Sequence, residues 1–193
     1  MSRLIHAIQW VDYLTKDVTD KGGQPFVGHP LRVMARCVRH GWEDPTTLIA
    51  AVLHDEYEDG RVLLRDVEYR FGSLISEAVD ALARRKDEAY RDYLKRCAVN
   101  VIARRVKIAD IEDNLDERRA GLMPSLRVRY KNALESLWMV EEGVLAGDRA
   151  ERSVFAHEAS SNPPASDRSR GSRRPSPGGT DRSRPSAPSP FSS

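Results

Sequence analysis

A histidine and an aspartate directly follow the most apolar segment of the chain. Residues 48–53 read Leu-Ile-Ala-Ala-Val-Leu, and His54 and Asp55 come next. Charged side chains seldom reach the end of a protein core without a partner, and a metal ion is one such partner. Because a His and an Asp side by side at a helix end can both turn toward one ion, the pair indicates a divalent metal site.

His29 and Asp110 are the candidates for completing a mixed nitrogen and oxygen ligand shell. His29 precedes the helix-starting Pro30, and Asp110 lies within the largely apolar residues 106–111. Each of these residues alone is more typical of a hydrogen-bonded or capping side chain, so the prediction rests on the four as a set. Such ligands suit Mn²⁺, while Zn²⁺, Fe²⁺ and Co²⁺ fit the same residue types.

Further polar residues are spaced so that they can serve the same site. Glu58 and Asp59 lie one turn beyond His54 and Asp55, and a carboxylate pair near a metal suits general acid/base work on a water molecule. Lys107 and Asn114 share one side of a predicted helix with Asp110. We therefore predict that Glu58 and Asp59 are catalytic and that Lys107 and Asn114 contact the substrate.

Helical spacing of apolar residues dominates positions 1–150, and no run alternates for long enough to indicate a strand. The fold class predicted is all-α, a helical bundle. In the first half of the chain, helices are expected over residues 3–16, from Pro30 to Gly41, from an Asp44 N-cap, and before residues 71–72. In the second half, they are expected over residues 74–82, through residues 90–97, from an Asn100 cap to about residue 115, and from Pro124 to Gly147. Val38 and Leu74 are expected to face inward.

Residues 151–193 are rich in Ser, Pro and Arg, and we expect a disordered tail there after a single domain over residues 1–150. The excess of arginine is confined to this tail, so nucleic acid could bind only through it; a solubilising extension is the alternative. The sequence shows neither a membrane span nor the long apolar run of a signal peptide, and we expect a cytoplasmic protein with Cys37 and Cys97 as buried thiols.

The motifs together resemble a known family. Residues 28–33 (Gly-His-Pro-Leu-Arg-Val), residues 50–59 (Ala-Ala-Val-Leu-His-Asp-Glu-Tyr-Glu-Asp), Phe71-Gly72, and residues 106–110 followed by Asn114 occur in that order. They are similar to the hydrolase domain of RelA/SpoT proteins, which are HD-type metal-dependent phosphohydrolases. The closest likeness is to the small stand-alone alarmone hydrolases, and it covers about residues 1–145.

This resemblance implies a manganese-dependent enzyme of the stringent response that hydrolyses the 3′-pyrophosphate of (p)ppGpp, a small nucleotide. The family ligands match His29, His54, Asp55 and Asp110. The acid pair that positions the water matches Glu58 and Asp59, and Asn114 matches a residue that contacts the substrate.

Several positions depart from the family. Its base-clamp and phosphate-binding residues are replaced by Thr15, Val18 and Asp20, with only Lys21 kept, and Asp116 replaces an arginine. Arg84 and Arg85 could bind phosphates in a loop that also differs. Two alternatives therefore stay open: an HD phosphohydrolase acting on another nucleotide or phosphoester, or a non-catalytic protein that binds nucleic acid through the tail.

Overall fold

The computed structural model describes residues 2–20, 23–116 and 122–143. Within these ranges the chain forms eight helices and no strand, apart from an isolated bridge between Thr19 and Pro25, so the predicted all-α class is confirmed. The helices are α1 (Arg3–Thr15), α2 (Gly28–Arg39), α3 (Pro45–Leu53), α4 (Leu64–Phe71), α5 (Ser73–Leu82), α6 (Tyr90–Val99), α7 (Val101–Leu115) and α8 (Pro124–Glu141). None of these helices is long and apolar enough to cross a membrane.

Local capping signals set the starts of α3 and α7. The Asp44 carboxylate accepts a hydrogen bond from the Thr47 backbone N–H at 2.9 Å, and Pro45 occupies the first turn of α3. The Asn100 side-chain oxygen accepts from the Ala103 N–H at 3.0 Å. Each cap satisfies a backbone donor that has no partner inside its helix, so both predicted N-caps are confirmed.

Helix α3 runs through the centre of the bundle. Its residues from Thr47 to Leu53 are all buried. Ala50 and Ala51 pack in one apolar cluster with α2, α5, α6, α7 and α8, whereas Ile49 and Val52 pack in a second cluster with α1, α4 and α5. Because α3 is apolar on both faces, other helices pack against both of them, and this packing fixes the position of His54, which directly follows α3.

Three expectations about helix faces and ends are wrong. Val38 is 40% exposed, because the buried stripe of α2 passes through Val33 and Cys37, one turn apart, instead. Leu74, in the first turn of α5, is also exposed. Helix α8 ends at Glu141, before Gly143 with φ of +69°, whereas Gly147 lies outside the described residues. The tail also lies outside them, so its disorder and the domain boundary stay predictions.

Candidate metal centre

Three helices bring His29, His54 and Asp110 together. His29 lies in the first turn of α2, His54 follows the last residue of α3, and Asp110 is in the second half of α7. All three side chains are buried, and their candidate ligand atoms lie within 4.8 Å of one another. Residues that are far apart in the sequence thus form one compact polar cluster inside an apolar bundle.

The distances in this cluster fit a single ion in its middle. Nε2 of His29 is 3.2 Å from Nε2 of His54 and 3.2 Å from Oδ1 of Asp110, and His54 Nε2 is 3.8 Å from the same oxygen. Ligand atoms that are each about 2.1 Å from a common ion lie about 3.0 Å apart at a right angle and about 3.4 Å apart at a tetrahedral angle. The observed distances between the ligand atoms are close to this range.

Asp55 lies beside the buried cluster, on its more open side. Its Oδ1 is 3.2 Å from Nε2 of His54, and its Oδ2 is 3.6 Å from Nε2 of His29. The side chain is 34% exposed, in contrast to the buried Asp110 carboxylate. Asp55 therefore has the position of a fourth ligand, the second one to bind through oxygen, on a side that water or a substrate can also approach.

The hydrogen bonds of the two imidazoles indicate that a cation belongs between them. Nδ1 of His54 contacts the Ala51 carbonyl oxygen at 2.8 Å, and Nδ1 of His29 contacts an Asp113 carboxylate oxygen at 2.8 Å. Both partners accept hydrogen bonds, so each Nδ1 carries the proton and each neutral ring has its lone pair on Nε2. Two such lone pairs 3.2 Å apart repel each other unless a proton or a metal ion lies between them.

The electrostatics of the metal-free site favour holding positive charge. Burial lowers the pKa of His54, but the carboxylates of Asp55 and Asp110 outweigh it and raise this pKa to about 9. Burial likewise lowers the pKa of His29, and its hydrogen bonds to Asp110 and Asp113 reverse the shift, so that this pKa is raised. A divalent ion would replace the protons that occupy this site in its absence.

Asp113 is the main residue of the site that the sequence analysis missed. Its carboxylate is 1% exposed and accepts from Nδ1 of His29 and from Nε of Arg32 at 3.0 Å. Nε of Arg36 is 3.3 Å away. Burial raises the pKa of Asp113, but the bonds to His29 and Arg32 prevail and lower it, so it is an anion at neutral pH. A carboxylate behind a histidine ligand fixes its tautomer and orientation.

Lys107 and Asn114, predicted to contact substrate, both bind Asp110. The Lys107 ammonium donates to Oδ2 of Asp110 at 2.8 Å, and the Asn114 amide donates to Oδ1 at 2.7 Å. Burial raises the pKa of Asp110, but Lys107 and the two histidines lower it well below its usual range. In this arrangement both residues hold a candidate ligand in place, and their contact with substrate stays a prediction.

The predicted catalytic pair, Glu58 and Asp59, lies in the exposed turn after His54. Oε2 of Glu58 accepts from the backbone N–H of Arg84 at 3.0 Å, and Asp59 pairs with Arg61 at 2.6 Å. The Arg61 Nε also binds Glu56 at 2.7 Å. Arg61 therefore connects Asp59 to a fully buried glutamate, a role that no pattern in the sequence indicated.

Of the other cations predicted to bind phosphate, two have partners within the protein and one lies outside the described residues. Arg85 pairs with Asp80 at 3.2 Å, while the Arg84 side chain donates to the Glu88 carbonyl oxygen. Lys21 lies outside the described residues. Binding of phosphate by any of these three cations stays a prediction.

The positions that depart from the family have structural partners in this chain. The Thr15 hydroxyl donates to the Val11 carbonyl oxygen at 2.7 Å inside α1, and the Asp20 carboxylate accepts from the Gln24 N–H at 3.0 Å across a tight turn. Asp116 pairs with Arg36 at 2.9 Å. These hydrogen bonds and this ion pair are made within the protein and stabilise its local fold.

Comparison with known proteins bears out the resemblance seen in the motifs. Named guanosine-3′,5′-bis(diphosphate) 3′-pyrophosphohydrolases match the chain at 31% identity over 122 residues in Aquifex aeolicus, 35% over 95 in Vibrio cholerae and 36% over 103 in Mus musculus. These matches cover 61%, 49% and 50% of this chain, and 17%, 13% and 57% of the respective relatives. The chain thus spans less than a fifth of its bacterial relatives. No protein-family model matches it.

A solved structure shares the fold. It is that of a metazoan ortholog of SpoT that hydrolyses ppGpp and plays a role in starvation responses. The TM-score is 0.59 at 21% identity, and the match covers 82% of this chain and 96% of the other. The likeness shows that the two chains share a helical-bundle fold.

Proposed function

We propose that this chain is an HD-type, metal-dependent phosphohydrolase whose substrate is (p)ppGpp, from which it releases the 3′-pyrophosphate. The observation that carries the proposal is the pair of imidazole Nε2 atoms facing each other beside the Asp110 carboxylate, each with its Nδ1 proton committed to an acceptor. Such a donor set is suited to a cation. The named relatives supply the substrate class.

The ion is held by His29, His54, Asp55 and Asp110, with Mn²⁺ as the first choice because two of the four ligands are carboxylate oxygens, which suit this ion. When bound, a divalent ion polarises a phosphoryl oxygen and lowers the pKa of bound water. Lys107 and Asn114 keep the Asp110 oxygens oriented, since both donate to them.

The acid pair Glu58 and Asp59 supplies the general base that takes the proton lost by the attacking water. Both carboxylates are exposed, and the backbone N–H of Asp59 donates to the Asp55 carbonyl oxygen at 3.0 Å. Arg61 limits the freedom of Asp59 through its 2.6 Å ion pair. Because Glu58 contacts only an N–H group among its described hydrogen bonds, it is the better placed of the two to act as the general base.

A second candidate is an HD phosphohydrolase that cleaves another nucleotide or phosphoester. The observation that favours it is Asp20, an acid committed to a turn at a position where the family has a cation or base-clamp residue. Such an acid repels a polyphosphate and offers no guanidinium to stack on a purine. The metal centre serves both candidates equally.

A substrate panel with Mn²⁺ tests the proposal. We expect pyrophosphate to be released from ppGpp and pppGpp, with GDP and GTP as the other products. Orthophosphate release from simple nucleotides, with ppGpp left intact, would favour the second candidate. Absence of turnover for every compound, despite bound metal, would contradict both.

The cytoplasm is the compartment that we propose for this activity. Cys37 and Cys97 are both buried and free, as expected for reduced thiols. Nucleotide substrates are also found there.

A further inference from the structure

Two guanidinium groups lie over the ring of Tyr90, the first residue of α6. The Cζ atom of Arg129, from α8, is 4.6 Å from the ring centroid, and that of Arg84, from the loop after α5, is 5.9 Å from it. Cations are attracted to the face of an aromatic ring, so one tyrosine gathers two positive groups from different elements.

No described acidic side chain pairs with either of these arginines. The Arg84 side chain donates from Nε and Nη2 to the Glu88 carbonyl oxygen, a neutral acceptor, at 3.1 and 2.7 Å. Several other arginines do pair with carboxylates, such as Arg96 with Glu88 at 2.7 Å and Arg104 with Glu141 at 2.6 Å. Two neighbouring guanidinium groups without a described counter-ion attract an anion.

Tyr90 cannot supply that negative charge itself. Its hydroxyl is buried and has no hydrogen-bond partner among the described residues. Burial raises the pKa of this hydroxyl to about 12, so the side chain is neutral at physiological pH. The ring orients the two cations and leaves their charge in place.

The arginine pair adjoins the candidate metal centre. The centroids of the Tyr90 and Tyr93 rings are 6.0 Å apart. The Lys107 ammonium lies 5.2 Å from the Tyr93 centroid and donates to the Asp110 carboxylate at 2.8 Å. On the other side, the backbone N–H of Arg84 binds the Glu58 carboxylate at 3.0 Å. The arginine pair is therefore linked through short contacts to a candidate metal ligand, Asp110, and to the predicted general base, Glu58.

We propose that Arg84 and Arg129, oriented by the ring of Tyr90, form a phosphate-binding subsite beside the metal centre. It takes a phosphate group of the nucleotide other than the one that is hydrolysed. Each guanidinium can direct two N–H groups at a phosphate in a fork that a lysine cannot reproduce. The identity of the nucleotide rests on the proposed function, whereas the positive charge of the subsite comes from the two arginines themselves.

The test uses the full chain with Mn²⁺ and the variants Arg129→Ala and Arg84→Ala. Lys131→Ala is the matched control, because it removes an equal charge from the exposed face of α8 two residues from Arg129. By isothermal titration calorimetry we expect both arginine variants to bind GDP about tenfold more weakly, a typical loss for one charge-assisted bond. Binding of guanosine, which has no phosphate, and of Mn²⁺ alone should not change.

In the hydrolysis assay the same variants should raise KM for ppGpp about tenfold and leave kcat within about twofold, since the contact is made equally before and during the reaction. Wild-type GDP affinity in both arginine variants, or an equal loss in Lys131→Ala, would overturn the subsite. If ppGpp is not hydrolysed by the wild type, the calorimetry still decides. A selective loss of GDP binding would then support the subsite while the proposed function fails.

Discussion

Replacing Asp113 by Asn tests whether this buried carboxylate positions the His29 ligand. Asn keeps the shape of the side chain and can still accept a hydrogen bond from Nδ1 of His29, now 2.8 Å from the carboxylate. The change removes the negative charge that makes the imidazole a stronger donor to a cation. It also removes one partner of Arg32 and Arg36.

The expected effect is larger on metal binding than on folding. Groups that hydrogen-bond metal-ligating histidines typically contribute 10- to 100-fold to metal affinity, about 1.4 to 3 kcal/mol. The released guanidinium groups are accommodated, because Arg32 is 44% exposed to water and Arg36 keeps its bond to Asp116 at 2.9 Å. We therefore expect Asp113→Asn to stay folded and to bind Mn²⁺ at least tenfold more weakly.

Glu112→Gln is the matched control for this prediction. Glu112 is the preceding residue of α7 and binds Nε2 of His40 at 2.8 Å, so the control also breaks a carboxylate–histidine pair, but one that involves none of the candidate ligands. Mn²⁺ affinity is measured by calorimetry, and helix content by circular dichroism. Equal Mn²⁺ affinity in Asp113→Asn and the wild type would refute the positioning role, as would an equal loss in Glu112→Gln.

Two further predictions concern protons. The pKa of His54 in the folded protein is about 9, above the usual 6.5. The protonated imidazole therefore stabilises the metal-free protein fully below pH 6.5, and this stabilisation is lost as pH rises through 9. Thermal unfolding in the presence of a chelator should show the decline. Mn²⁺ affinity should increase over the same interval, about tenfold per pH unit for each displaced proton, and a flat calorimetric profile would contradict this. Separately, Glu58→Gln should keep its metal by elemental analysis and lose about 10²- to 10⁴-fold in turnover, whereas full activity would exclude Glu58 as the base.

Structural features whose interacting residues are close together in the sequence could be predicted from it. Asp44 and Asn100 cap helices through N–H groups three residues away, and such pairs are visible in a short stretch of sequence. The unbroken apolar run of α3 likewise predicted a central helix and drew attention to His54 and Asp55 after it. The resemblance to alarmone hydrolases was seen in the same motifs.

Features that depend on tertiary packing could not be predicted in the same way. Asp113 binds His29 and Arg32, which lie 84 and 81 residues away in the chain. The local signal was weak, because Asp113 stands between two other polar residues, Glu112 and Asn114, near the end of α7. Val38 was misplaced for a related reason, since the contacts of α2 with its neighbours select which of its apolar residues are covered.

The metal content of the purified chain tests the central claim most directly. After dialysis against Mn²⁺ and removal of unbound ion, elemental analysis should find one ion per wild-type chain. Asp110→Asn, which keeps the size of the side chain but loses its charge at the point where both histidines meet, should retain none while its circular dichroism spectrum is unchanged. A wild-type chain that binds no divalent ion, or a variant that keeps a full equivalent, would contradict the account.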